Sequence, residues 1–252
     1  MGFHGPQPLP QRFASLEAGK VEKVRDLIAA VIGAAVPASP FALALHPFAA
    51  ALLAAMPEPP EGAVLVHEAL GLERPRALPV DRPLAIGGRR EPSGSGEVLT
   101  LEATDADEPV ARMSTRVSVA PASLLARPGP MRRPDGAPAL SVEVTAAQVE
   151  THAALSGDFN PIHVDLAVAR ALGLPERVVH GTMLAFLIEP ALHAAGIAAA
   201  PVRLGLRFVS PALVGEWLDA HVIPDRAPGR LRVAVAGPGG ALRCVADVST
   251  QL

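Results

Sequence analysis

The sequence predicts an α+β protein made of two consecutive units, each a central helix wrapped by an antiparallel sheet. Three observations predict it. A Pro/Gly/Arg-rich stretch from Arg127 to Gly136 divides the 252 residues almost in half; such composition fits neither a helix nor a central strand. The two sides of that stretch carry elements in the same order: a helix, an apolar helix, then four strand-sized runs. A repeat of this length implies a duplicated domain, because solenoid units are only about 20–50 residues long. The expected organisation is therefore a first unit over 1–126, a linker over 127–138 and a second unit over 139–252.

In the first unit Lys20–Ala35 is helical. No charged residue occurs from Leu27 to Met56, a run longer than the roughly 20 residues that cross a bilayer. Pro37, Pro40 and Pro47 interrupt it, so two buried helices joined by a turn are expected rather than a membrane span, the second over Pro47–Met56. Strands follow at Ala63–His67, Arg82–Gly87, Glu97–Ala103 and Val110–Val119. In the second unit Ala139–Val144 is a short strand. Thr145 and Gln148 form a capping box that opens a helix to Leu155, ended by Ser156-Gly157. Asp165 caps a short helix up to Leu172. A helix then runs from Gly181 to Gly196, and Pro190 removes its bond to the Phe186 carbonyl and kinks it. The last strands are Val202–Val209, Glu216–Ile223, Leu231–Ala236 and Ala241–Thr250.

Composition removes whole classes of function. Net charge is −3 with no basic stripe, and the aromatics are seven Phe, one Trp and no Tyr, so nothing marks a nucleic-acid face. Cys244 is the lone cysteine, which excludes a disulfide framework within the chain and a thiolate zinc site; it reads as a small core residue. The only lysines are Lys20 and Lys23, so there is no P-loop, and Gly-x-Ser-x-Gly is absent too. Met1–Pro10 has no basic, apolar leader pattern, so the expected compartment is cytoplasmic. Chemistry is left to Asp, Glu, His, Ser and backbone amides.

The informative run is Ser156-Gly157-Asp158-Phe159-Asn160-Pro161-Ile162-His163, followed by Val179-His180-Gly181-Thr182. Asp158 and His163 stand five apart across an Asn160-Pro161 turn that can face both side chains to one point. A carboxylate and an imidazole converging on one water can take a proton and return it elsewhere. Gly181 opens an apolar helix, leaving backbone N–H groups free to polarise a carbonyl, and glycine lets a ligand approach closely. Read singly, Asp158 is a loop or cap residue and His163 a core histidine. Together with Asn160-Pro161 and His180-Gly181 they read as a site. His180 is expected to hydrogen-bond the loop, and Ser156 to end its helix beside the site. His163 and Asp165 lack a third ligand at metal spacing, so no metal is expected. Arg203 and Arg207 read as solvated or paired, Glu189 as facing a pocket or solvent, and His4, His46, His67, His152, His193 and His221 carry no motif.

This run resembles the signature of the MaoC-like dehydratases, the (R)-specific enoyl-CoA hydratase family, in Asp158, Asn160, Pro161, His163, His180 and Gly181. Arg207-Phe208 through Pro211, with Gly215-Glu216, resembles the family's strand after its helix. The resemblance covers roughly residues 139–250; the first unit resembles the family's degenerate N-terminal domain more weakly. It implies a double hot-dog fold and reversible syn addition of water to a trans-2-enoyl thioester. A water would sit between Asp158 and His163, which of them is the base being left open. Gly181 N–H would bind the thioester oxygen, and Asn160 would orient the pair. It further implies no cofactor, with CoA or acyl-carrier protein entering as part of the substrate. The chain would be a pseudo-dimer, with a homodimer of chains left open. The first unit's central helix would pack near the second unit's and enlarge the acyl cavity. Two rivals remain: a hot-dog thioesterase, and a catalytically silent acyl-thioester binder.

Overall fold

The computed structural model describes residues 6–60, 62–125, 129–131, 134–198, 200–225 and 227–251; His4 and linker positions 127, 128, 132 and 133 lie outside them. The first strand, β1 (Gln7–Ser15), lies at a sheet edge. Pro8 and Pro10 are tolerated there, since an edge strand leaves one row of N–H groups unused. It has no apolar run of its own to mark it as a strand, and it adds an element to those expected. Helix α1 (Ala18–Ile32) buries Val21, Val24, Leu27, Ile28 and Val31, one face at three- and four-residue spacing. Gly33 closes it in the left-handed conformation, φ 68°.

The central segment of the first unit begins earlier than expected, at Phe41. Phe41–Phe48 is a 3₁₀ helix with all eight residues buried, and it runs into α2 (Ala49–Ala55). Pro47 lies inside it and has no N–H for the α-helical ladder. The strands of this unit are β2 (Ala63–Glu73), β3 (Pro83–Ser93), β4 (Gly96–Asp105) and β5 (Glu108–Pro121), all antiparallel and longer than the apolar runs alone indicate. Ala122–Leu124 adds one 3₁₀ turn.

The second unit opens with β6 (Leu140–Glu143) and α3 (Ala146–Ser156), whose N-terminus carries the expected reciprocal Thr145–Gln148 capping box. Two short helices follow, α4 (Pro161–Val164) and α5 (Leu166–Ala171), the latter capped by Asp165 Oδ1 through Ala167 N and Val168 N. The central helix is broken into α6 (Gly181–Leu184), a 3₁₀ turn at Ala185–Leu187, and α7 (Ile188–Ala194). The break precedes Pro190, which leaves the Phe186 carbonyl without its i+4 donor. Strands β7 (Arg203–Phe208), β8 (Trp217–Pro224), β9 (Arg230–Ala236) and β10 (Leu242–Ser249) complete it.

The ten strands of the described residues form one sheet in the order β1-β3-β4-β5-β2-β7-β10-β9-β8-β6. Read inward from either edge, the order is the same: first, third, fourth, fifth and second strand of its unit. The seam is the antiparallel pair β2–β7, centred on Gly71 opposite Gly205 and running from Ala69↔Arg207 to Glu73↔Arg203. Leu70, Leu72, Leu204 and Leu206 turn inward along it. A Cβ on Gly71 would meet Ser114 Oγ at 2.5 Å, so a larger residue there requires the serine hydroxyl to turn aside. One continuous apolar cluster joins the units, with Phe48 and Phe186 the bulkiest side chains sealed within it. Cys244 is fully buried on β10, where burial pushes its thiol up to about 12. No helix of the described residues is long and apolar enough to cross a membrane.

Polar contacts also cross between the units. Glu189, buried on α7, accepts the Phe41 N–H at 2.7 Å and so caps the first unit's central segment. Arg74 donates to Ser39 and Pro40 just before that segment and lies over the Phe41 ring. Gln148 reaches from α3 to the Ala30 carbonyl of α1 at 2.9 Å.

Candidate active site

The loop between α3 and α4 is built by side chains that bond the backbone of near neighbours. Gly157 takes φ 78°, which ends α3 and turns the chain out. Ser156 Oγ donates to the His152 carbonyl at 2.8 Å and accepts the Asp158 N–H at 3.2 Å. Asp158 Oδ1 accepts the Asn160 N–H at 3.2 Å, and Asn160 Oδ1 accepts the Ile162 N–H at 3.3 Å, capping α4. Pro161 takes the first helical position, where a missing N–H costs nothing. Asn160 thus orients the loop carrying both residues, and Ser156 fixes the backbone of Asp158.

These bonds bring Asp158 together with His163 and His180. One ligand-capable atom from each of the three lies within 4.8 Å of the others. His163 Nδ1–H donates to the Val178 carbonyl at 2.7 Å, which leaves Nε2 as a bare acceptor in the neutral ring. His180 Nε2–H donates to the Asp158 backbone carbonyl at 3.0 Å, the loop-bracing role expected from sequence. The His163 and His180 rings stack at 3.9 Å. Burial and the adjacent His180 push His163 down to about 4, against the opposing bond to Val178 and the charge of Asp158. Burial likewise lowers His180, again opposed by its Asp158 contacts. Both rings are neutral near pH 7.

Gly181 opens α6 with no side-chain cap. A Cβ there would stand 3.1 Å from the Phe208 ring, so glycine also keeps the space between this amide and β7. The site opens into a cavity of about 1050 Å³ between the units. Ser156, Asp158, Asn160, His163, His180 and Gly181 all line it. The opposite wall belongs to the first unit: Leu45, Ala49, Leu52, Leu53 and Met56 of its central segment, with Leu65–Glu68 of β2.

Three of the lining histidines carry no motif: His46, His67 and His152. His152 accepts or donates through Nε2 to Thr182 Oγ1 at 2.9 Å and packs edge-on to His180 at 4.8 Å and to His46 at 6.3 Å. Helical spacing offers a signal for it, since His152 precedes the loop residue Ser156 by one turn. Burial, more than nearby Lys20, pushes His46 down to about 3. No sequence pattern marks His46 or His67, because only tertiary packing brings them to the second unit's loop. Asp165 spends its carboxylate on the α5 cap, so it is not a partner for His163. A metal-capable trio does exist, with His180 supplying the third group that local spacing did not show. Each of its rings already spends one nitrogen on a carbonyl. Arg203 pairs with Glu73 across the seam, and Arg207 is exposed beside it.

The family described as MaoC like domain matches residues 132–224. Over 120 residues the chain is 33% identical to the (R)-specific enoyl-CoA hydratase of Aeromonas caviae, spanning 45% of this chain and 90% of that one. The chain belongs to the MaoC-like dehydratase family. The 3-hydroxyacyl-thioester dehydratase X of Mycobacterium tuberculosis is 31% identical over 97 residues, 38% of this chain and 34% of that protein. The crystal structure of HtdX from Mycobacterium tuberculosis superimposes with a TM-score of 0.68 at 20% identity, covering 95% of this chain and 99% of that one. At that identity the likeness speaks for the fold, and it extends the MaoC-like architecture, a double hot dog, over both units.

Proposed function

We propose that the protein catalyses reversible hydration of trans-2-enoyl thioesters to (R)-3-hydroxyacyl thioesters. The observation that carries the reading is the convergence of the Asp158 carboxylate and the His163 ring, with Nε2 of the neutral ring bare, on one point of the cavity. The relatives that the chain matches are named for hydration or dehydration of such thioesters. A water held between Asp158 and His163 Nε2 attacks C3 while the pair takes one of its protons. The pair returns a proton to C2 on the same face, so that one water is added and neither residue is consumed. The Gly181 N–H, at an uncapped helix start, stabilises the growing negative charge on the thioester oxygen. His180, Asn160 and Ser156 hold the loop in register. The apolar wall of Leu45, Leu52, Leu53 and Met56 receives the acyl chain. CoA or an acyl-carrier protein enters as part of the substrate, and the mechanism calls for no metal or redox group.

The test is to incubate the protein with enoyl-CoA substrates of several chain lengths, following loss of the enoyl absorbance and release of free thiol. Hydration without thiol release is expected, and it persists after dialysis against a chelator. Thiol release would point to a thioesterase, and no reaction to a silent binder; either outcome overturns the reading.

A further inference from the structure

The unit that lacks the motif nevertheless supplies a polar side chain to the reacting end of the cavity. Along β2 the inward face is set by Leu72 and Leu70, which pair with Met113 and Thr115 of β5. Simple alternation would turn Glu68 inward and His67 outward. The register instead slips between His67 and Ala69: Ala69 lies opposite Arg116, and His67 opposite Val117, with Glu68 as the extra residue. Glu68 also borders the cavity but spends its carboxylate on Arg116 at 2.7 Å. Val117 is fully inward, 1% exposed, and directly opposed residues share a face. The bulge therefore reverses the phase of the strand and turns His67 into the cavity. Bulges beside sites re-aim side chains in this way.

His67 has the attributes of a ligand group. It lines the cavity, and it is near enough to Asp158, His163 and His180 to exchange electrostatic influence with all three. It makes no side-chain hydrogen bond with any described residue. Unlike both ring nitrogens of His46, its own are not sealed from contact. A neutral imidazole in that setting offers one donor and one acceptor with nothing to bond.

We propose that His67 is a substrate-facing residue which hydrogen-bonds the thioester group and holds it against Asp158 and His163 from the side of the other unit. This rests on the hydration reading above and names a recognition group for it. The chemistry recognised is a thioester carbonyl or the first amide of the attached arm, both common to CoA and carrier-protein substrates.

The experiment compares wild type, His67→Leu and His67→Gln, measuring kcat and KM for trans-2-enoyl-CoA and for the same acyl group on carrier protein, with a thermal melt of each. His67→Leu is expected to lower kcat/KM by at least about tenfold on both substrates with little change in Tm. His67→Gln, which keeps a donor and an acceptor, recovers most of that loss. Wild-type kinetics in His67→Leu, or equal loss in Leu and Gln variants tracking a lowered Tm, overturns the role of His67 alone. A wild-type protein that hydrates no enoyl thioester removes the hydration reading and this inference together.

Discussion

His163 spends its Nδ1–H on the Val178 carbonyl, so the lone pair on Nε2 is the part of the ring presented to the cavity. Asp158 is oriented through Oδ1 by its own loop. Removing either group removes half of an acid–base pair, and Asp158→Asn or His163→Ala should each lower the hydration rate at least about a hundredfold, as steady-state kinetics will read. Acid sensitivity follows from the same ring. Its proton affinity is lowered on folding, to about 4 from the ordinary 6.5, so the unfolded chain binds more protons between those two values. Stability contributed by the neutral ring is therefore full above about pH 6.5 and falls as pH drops toward 4. Burial of His46 extends the loss to about 3. Melts from pH 7 to pH 4 should show a falling Tm, and the acid limb of kcat/KM should lie below pH 6.5. A flat Tm over that range would contradict the buried neutral histidines.

The local elements show which signals a sequence carries. Thr145–Gln148, Asp165 and Gly157 act through bonds to residues one to four positions away, so their roles in α3 and α5 are legible from the residues alone. The Asp158–His163 loop is legible for the same reason. Three things are not: the Pro-bearing edge strand β1, the start of the first central segment at Phe41, and the phase reversal in β2. Each depends on a partner distant in sequence: β3 for β1, Glu189 for Phe41, and β5 for the bulge. Two tests belong here. Thr145→Ala should destabilise the fold by about 1 kcal/mol with kcat unchanged, since the cap lies at the far end of α3 from the site; urea denaturation measures it. Gly181→Val should lower kcat sharply, because its Cβ begins 3.1 Å from the Phe208 ring and the added methyls occupy the space beside the amide. Its activity is expected to fall more than its Tm.

Across the assembled chain, the two units share a seam, a core and a cavity. The motif lies in one unit, while much of the apolar wall and His67 come from the other. Disrupting the seam should therefore act on both. Leu72→Ala, at a fully buried seam position, should cost about 2–5 kcal/mol. Residues 134–251 produced alone should lose hydration activity, as the acyl wall and the β2–β7 pairing are absent. A fully active second unit would show that the first is dispensable.

The seam is also unequal about its own centre. Residues 63–68 of β2 continue past the last β7 partner, whereas β7 starts at Arg203, opposite Glu73, with no such extension. The sheet therefore parts on one side only, the side where Gly181, Phe208 and the Asp158 loop stand. The repeated architecture in this way holds its large cavity to one side of the seam. Titration with a non-hydratable thioester analogue should saturate at one equivalent per chain, whereas two units with the same site would take two.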